Sequence, residues 1–223
     1  MARVGFLIIA TNKYIQFVKP LLDSMKQFVH LDYEPFIFTD SDAYLDNNIL
    51  YWEHRPFPYP TLMRYHAFNH TAEFLQYCDY LFYCDVDMRF AGDVGEEIFG
   101  DLVAVQHPGF YNKPRSQFTY ETRPFSAAYA APNEGIGYYC GGFQGGRTDE
   151  YLKMCEILSK RIDEDSSRGI TAVWHDESHY NRYLIDNPPS LILSPSYCYP
   201  ESWNLPFEKK LLALDKNHKE IRE

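Results

Sequence analysis

Positive charge is scarce in this sequence. Of its 223 residues, 21 are Lys or Arg against 31 Asp or Glu, a formal charge of −10. A field of that sign argues against nucleic acid as a partner. It also means that an anionic ligand needs local cations, either a bound metal or a few placed basic side chains. No G-x-G-x-x-G is present, which argues against a dinucleotide site and so against a dehydrogenase. The five cysteines (Cys78, Cys84, Cys140, Cys155, Cys198) form no C-x-x-C pair and their number is odd, so a reduced, cytoplasmic setting is expected. No run approaches the roughly 18 apolar residues needed to span a bilayer. The apolar run at residues 4–10 lacks a small-x-small cleavage site and continues into Asn12-Lys13-Tyr14, so it reads as a first strand and not as a leader. Internal repeats and low-complexity tracts are also missing.

What is present is an ordered globular composition, 45% hydrophobic and 17% aromatic with 19 Tyr. Residues 3–10 read as a strand, Leu21, Leu22, Met25, Phe28 and Val29 follow at helical spacing, and residues 33–39 read as a second strand. Such a β-α-β opening begins an α/β, nucleotide-binding type of sheet. Residues 49–51 form a short strand, the prolines of Pro56-Phe-Pro-Tyr-Pro60 impose a loop, and Thr61 caps a helix running to about Tyr77 that carries Arg64. Residues 102–106 give another strand. Residues 111–132 are irregular, a length that is usually functional or mobile in a compact domain. Helices follow from Thr148 and from the Trp174 region, Pro188-Pro189 stops the second, and residues 191–195 hold a last strand.

The central stretch is Tyr80-Leu-Phe-Tyr-Cys-Asp-Val-Asp-Met88, an apolar run that reads as a buried parallel strand and ends in two carboxylates. In an extended segment Asp85 and Asp87 share a side. Two carboxylates that close call for a cation, and hard divalent ions bridge such oxygens to a diphosphate. Taken alone, the pair fits equally a strand ending in a polar turn. Tyr138-Tyr-Cys-Gly-Gly-Phe-Gln-Gly-Gly146 reads either as a bulged strand or as backbone that a ligand approaches closely. Trp174-His-Asp-Glu-Ser-His179 leaves three readings open. Asp176 and Glu177 suit a helix start, His175 and His179 have the i, i+4 spacing of a zinc site although Glu177 is displaced from the H-E-x-x-H position, and a carboxylate here can serve as nucleophile or base in a sugar site.

Phe38-Thr-Asp40, Asp85-Val-Asp-Met88, His107-Pro-Gly-Phe-Tyr111, Phe118-Thr-Tyr-Glu121 with Arg123-Pro124, Tyr138-Tyr139 before Gly141-Gly142, Ala172-Val-Trp-His-Asp-Glu-Ser-His179, Leu193-Ser-Pro195 and Lys216-Asn-His218 occur in this order over nearly the whole chain. In these motifs the sequence resembles glycosyltransferase family 6, the retaining α-1,3-galactosyl- and N-acetylgalactosaminyltransferases that include the histo-blood-group A and B enzymes. The resemblance implies a single-domain GT-A type nucleotide-sugar fold, a mainly parallel twisted sheet flanked by helices. Residues 1–207 would form the catalytic domain and 208–223 a flexible C-terminal tail closing over the donor diphosphate.

By the same resemblance Asp85 and Asp87 would hold Mn²⁺ against the diphosphate of a UDP-sugar donor. Ile9, Ala10, Thr11 and Tyr14 would cradle uridine, Arg64, Val86 and Gly141 would bind the donor, Cys140 and Gly142 would stand where its sugar is discriminated, and Asp176 would touch that sugar. Glu177 would be the catalytic carboxylate, as nucleophile or by orienting the acceptor. His107, Thr119, Trp174 and Glu201 would meet a fucosylated galactoside acceptor. Lys216, His218 and Arg222 would supply the tail's cations.

The sequence departs from the family at three points. Cys140 matches neither animal variant at the sugar-discriminating position, whereas Gly142 is as in the A-type enzyme and favours UDP-N-acetylgalactosamine over UDP-galactose. Pro200, with Glu201 beside it, replaces a late acceptor-contacting acid. The acidic pair is retained where many bacterial members carry Asn. The expectation is a bacterial or phage-type transferase without a membrane span, the alternatives being a galactosyltransferase and a non-catalytic carbohydrate-binding protein.

Overall fold

The apolar runs become the middle of a sheet in the computed structural model, which describes residues 1–43, 48–217 and 220–221. The strands are β1 (Arg3–Ile9), β2 (Asp32–Thr39), β3 (Asn48–Tyr51), β4 (Tyr80–Cys84), β5 (Met88–Phe90), β6 (Leu102–Gln106), β7 (Tyr139–Arg147), β8 (Leu191–Leu193), β9 (Tyr199–Pro200) and β10 (Leu211–Ala213). Seven of them form one sheet in the order β3-β2-β1-β4-β7-β6-β8. Six of these run parallel, and β7 opposes its neighbours β4 and β6. The fold is therefore α/β with a mostly parallel sheet flanked by helices, consistent with a single-domain GT-A arrangement.

Both faces of β1 are covered, which is why its sequence is continuously apolar instead of alternating. Val4, Phe6 and Ile8 pack with Val18, Leu21 and Met25 of α1 (Val18–Phe28) on one face. Leu7 and Ile9 pack on the other with residues of α3 (Arg64–His70), α5 (Thr148–Ser167) and α6 (His175–Asp186). Each large apolar side chain buried in this way contributes about 1.5–3 kcal/mol. Glycine is required where β7 crosses β4. A Cβ on Gly145 would overlap the Phe82 ring and the Leu81 carbonyl oxygen.

Local structure differs from the sequence reading in three places. The helix expected from Thr61 to Tyr77 is divided into α2 (Tyr59–Leu62), α3 and α4 (Ala72–Leu75). At the second break the Thr71 hydroxyl donates to the carbonyls of Ala67 and Phe68, a back-bond that competes with the helical ladder. Thr61 is no N-cap either, because its hydroxyl donates back to the Pro58 carbonyl at 2.8 Å.

The acidic pair is not extended. β4 ends at Cys84, residues 85–87 form a turn closed by Met88 N–H to Asp85 C=O at 3.2 Å, and β5 follows. Finally, the segment from 208 contributes β10, the middle strand of a small sheet ordered β5-β10-β9. Leu211 and Leu212 of β10 are buried, and Leu214 N–H donates to Asp87 C=O at 3.0 Å.

Candidate active site

Parallel strands bring their carboxyl ends to one edge of a sheet, and ligands of open α/β folds bind there. At this edge the chain delivers Thr11 after β1, Asp85-Val86-Asp87 after β4 and His107 after β6. The antiparallel β7 contributes its beginning, Cys140-Gly141-Gly142. A cavity of about 150 Å³ is lined by Ile9, Thr11, Tyr14, Arg64, Asp85, Val86, Asp87 and Lys216, together with His54, Phe57 and Ile221. Ala10, Cys140, Gly141, Gly142 and Asp176 are not among its lining residues. Ala10 is fully buried and donates to the Phe38 carbonyl, and Cys140 belongs to the core.

Arg64 organises the floor. It is 4% exposed, its guanidinium lies 4.2 Å over the Tyr83 ring, and Nη1 donates to the Gly141 carbonyl at 2.9 Å. Nη2 stands 3.6 Å from Asp85, and Nε stands 3.1 Å from Oδ2 of Asp176. The last two atoms are in ion-pair contact without an aligned hydrogen bond, although both are sealed from water. One arginine therefore links two carboxylates from distant parts of the chain, in an environment where an unsatisfied polar group costs about 1–3 kcal/mol.

The first turn of α6 supplies Asp176 and Glu177. Its leading residue His175 sits at φ 51°, a strained setting for a non-glycine residue of the kind that clusters at functional sites. The Trp174 N–H donates to Ser178 Oγ at 2.9 Å. Glu177 Oε2 accepts the Gly141 N–H at 2.9 Å. Burial pushes the Glu177 carboxyl up to about 7, against the pull of the Gly141 amide. Burial likewise raises Asp176 to about 6, opposed by Arg64. Both acids are poised to change charge near neutrality, as acid–base groups in sites commonly are.

Asp85 and Asp87 suit a hard cation. Both offer oxygen alone, Asp85 is braced by the Tyr83 hydroxyl, and Asp87 already carries the Lys216 ammonium as a stand-in cation. Among the described residues no three His, Cys, Asp or Glu converge on a metal. Further ligands would therefore come from phosphate oxygens and water, as Mg²⁺-like ions prefer. The zinc reading finds no such support. The His175 ring packs edge-on against Phe57, whereas His179 is buried 3.5 Å from Asp165.

Beyond Glu177, the His107 ring accepts the Gly109 N–H at 3.0 Å, and burial lowers its pKa to about 4, so it is neutral. Thr119 is partly buried and Trp174 is half-exposed. Glu201 is tied to Arg89 at 3.4 Å and accepts the Asp215 N–H at 3.2 Å, which connects it to the chain leaving β10. His218 and Arg222 lie outside the described residues.

The sequence reading did not single out His54, whose ring lies 3.0 Å from the Thr11 hydroxyl, nor any role for Glu121. The Glu121 carboxylate is 2% exposed and takes a two-pronged contact from Arg123, and it also accepts the Val173 N–H at 2.9 Å. Its charge-assisted bonds to Arg123 hold its pKa near 2. The spacing Glu121-x-Arg123 was the available signal, and what it anchors lies about fifty residues on.

A profile described as glycosyltransferase family 6 matches residues 61–223. The chain belongs to glycosyltransferase family 6. Among its relatives, the rat histo-blood group ABO system transferase 1 is 34% identical over 242 residues, covering 98% of this chain and 68% of that protein. The human globoside alpha-1,3-N-acetylgalactosaminyltransferase 1 is 35% identical over 235 residues, 98% of this chain and 67% of the relative. The O-antigen biosynthesis glycosyltransferase WbnI of Escherichia coli is 28% identical over 222 residues, 96% and 94% of the two chains. Family membership makes this chain a hexosyltransferase, with a nucleotide-sugar donor and a glycan acceptor. No helix among the described residues of this family 6 chain is long and apolar enough to cross a membrane.

Proposed function

We propose that the chain moves N-acetylgalactosamine from UDP-N-acetylgalactosamine, with retention, to the 3-hydroxyl of a β-galactoside, an H-type fucosylated galactose being the acceptor. The observation that carries this reading is the line from buried Asp176 through buried Arg64 to the part-exposed Asp85, beside Glu177. It sets groups suited to a sugar and to a diphosphate next to one carboxylate of raised pKa. The uridine would lie along Ile9, Thr11 and Tyr14, with Ala10 behind them, and Val86, Cys140, Gly141 and Gly142 would wall the sugar.

Asp85 and Asp87 would hold Mn²⁺, whose chemistry is to neutralise the charge that develops on the departing UDP. Lys216 already stands at Asp87 and, with His218 and Arg222, would cover the diphosphate. Glu177 would attack the anomeric carbon or orient the acceptor hydroxyl, with His107, Thr119, Trp174 and Glu201 on the acceptor side. Five free, buried cysteines support a cytoplasmic setting.

The second reading is transfer of galactose from UDP-galactose, against which Gly142 is no evidence. A Cβ on Gly142 would stand 2.9 Å from Asp85 Oδ2. The missing side chain thus accommodates the acidic turn, and Gly142 by itself is no argument for an N-acetyl pocket.

The test gives one fucosylated galactoside both UDP-sugars together with Mn²⁺ and weighs the product. Gain of an N-acetylhexosamine, lost in EDTA and regained with Mn²⁺, is expected. A hexose product would select the second reading, no product from either donor would sink both, and full activity in chelator would remove the metal.

A further inference from the structure

Tyr138 precedes β7, and its side chain is 1% exposed. Its ring is gripped by aromatic neighbours, with ring centres at 5.7 Å from His107, 4.9 Å from Phe110 and 5.3 Å from Tyr120. The backbone on either side is stitched to its surroundings. The Tyr138 carbonyl accepts the His107 N–H at 2.9 Å. The Asn181 amide holds both the N–H and the carbonyl of Tyr139, and it also donates to the Glu177 carbonyl at 3.0 Å. The ring therefore has little freedom, and its hydroxyl has a fixed address between the Glu177 carboxylate and the Thr119 hydroxyl. That hydroxyl is sealed from water and completes an aligned hydrogen bond with neither.

A buried phenol beside two possible partners and committed to neither is costly to the fold. The same group becomes useful once a ligand arrives. Once a galactoside hydroxyl engages Thr119, the Glu177 carboxylate is the stronger of the phenol's two acceptors, because a hydrogen bond to an ionised oxygen is roughly twice as strong as one to a hydroxyl. A phenol donating to a carboxylate favours its ionised form and pins its orientation against the Gly141 amide on the other side.

We propose that Tyr138 is a positioning residue for transfer, its phenol locking the Glu177 carboxylate in orientation and in the ionised state when an acceptor occupies Thr119. This rests on the reading of Glu177 and Thr119 under the proposed function. The other groups facing Glu177 are Asp176 beside it, Arg64 from α3, Tyr180 from the next turn of α6, and Cys198 from the turn before β9. None of the contacts recorded for these four reaches Thr119.

The test is Tyr138→Phe in the full chain, with Mn²⁺ and donor saturating. Three results are expected together: UDP affinity within twofold of wild type, a fall in kcat of about tenfold or more with acceptor KM little changed, and an acidic limb of the pH–kcat profile moved to higher pH. The thermal midpoint should hold or rise, because the lost hydroxyl had no aligned partner. An unchanged kcat would overturn the proposal. So would a lowered kcat with an unmoved pH limb, or a fallen thermal midpoint, either of which would make the hydroxyl merely structural. Glu177→Gln, assayed alongside, separates the two levels. Full turnover in Glu177→Gln brings down the reading of the site itself, whereas an inactive Glu177→Gln beside an unaffected Tyr138→Phe brings down the positioning role alone.

Discussion

Replacing Glu177 by Gln should stabilise this protein at alkaline pH while abolishing transfer, and the size of the gain follows from the site. In the folded chain the carboxyl is raised from its ordinary 4.5 to about 7 by burial. A tenfold change in an equilibrium is about 1.4 kcal/mol, so the ionised form is disfavoured in the fold by about 3 kcal/mol. Water at the rim of the site reduces this to about 2–3 kcal/mol. A raised folded-state pKa means that the group's contribution is fully present below 4.5 and is lost as pH rises through 7.

Glutamine keeps the carbonyl that accepts the Gly141 N–H and carries no charge, so the variant should not show this loss. Its stability relative to wild type should be higher by under about 1 kcal/mol at pH 5 and by about 2–3 kcal/mol at pH 8. For a chain of this length that is a rise in Tm of about 5–10 °C. Removing one negative charge also eases ionisation of Asp176, which the wild type holds near 6, and that adds in the same direction. Denaturation of both proteins across pH 5–8, in EDTA and without donor, measures it. A difference that is flat with pH, or a variant less stable at pH 8, would refute the argument that burial sets the charge of Glu177.

Two further predictions follow from the scaffold. Glu121→Gln weakens the bidentate grip on Arg123 and leaves a guanidinium without its counter-charge. Stability should fall by about 1–2 kcal/mol, because Arg123 is half-exposed and stays solvated, and transfer should fall with it because the Val173–Trp174 segment loses its anchor; equal urea midpoints for the two proteins would contradict this. Gly145→Ala places a methyl group into the Phe82 ring and the Leu81 carbonyl, and overpacking of this kind costs about 1–3 kcal/mol. A Tm drop of several degrees with UDP affinity nearly kept is expected, and an unchanged Tm would mean that β4 and β7 are less closely apposed than described.

The parts of the fold legible in the sequence were those whose cause is local. Residues 4–9, 81–84 and 102–105 are apolar without alternation because helices cover both faces, and that pattern predicts central parallel strands. β7 was harder, since its glycines fit a tight corner as well as a strand. Their neighbours explain them: Asp85 at Gly142, Phe82 and the Leu81 carbonyl at Gly145, and the Asp101 carbonyl at Gly146. The division of the helix expected at Thr61–Tyr77 depends on which way two threonine hydroxyls turn, which residue type alone does not reveal.

In the site, the Asp85-Val86-Asp87 motif was conspicuous, but the expectation of a shared side rested on an extended chain where the structure has a turn. Arg64 had no local mark of its position between Asp85 and Asp176. That arrangement is made by three segments far apart in sequence, as is the hold of Glu121 on the residue before Trp174. Gly142 was read as space for a ligand, and its nearest claimant is Asp85.

β10 gives the donor end an unusual dependence on distant sequence. The turn holding Asp85 and Asp87 is continued by β5 at 88–90, whose partner lies at 211–213, and Asp87 is met through its carbonyl by Leu214. Contacts across so much chain close a long loop and form late in folding. The end that would receive UDP is thus the part of the molecule most sensitive to whether folding has finished. A chain with its central sheet formed and β10 still undocked has the appearance of a folded protein by helix and strand content, yet the carboxylate turn lacks the strand beside it. Nucleotide binding is, for this protein, a report on the completeness of the native state, and secondary structure is not.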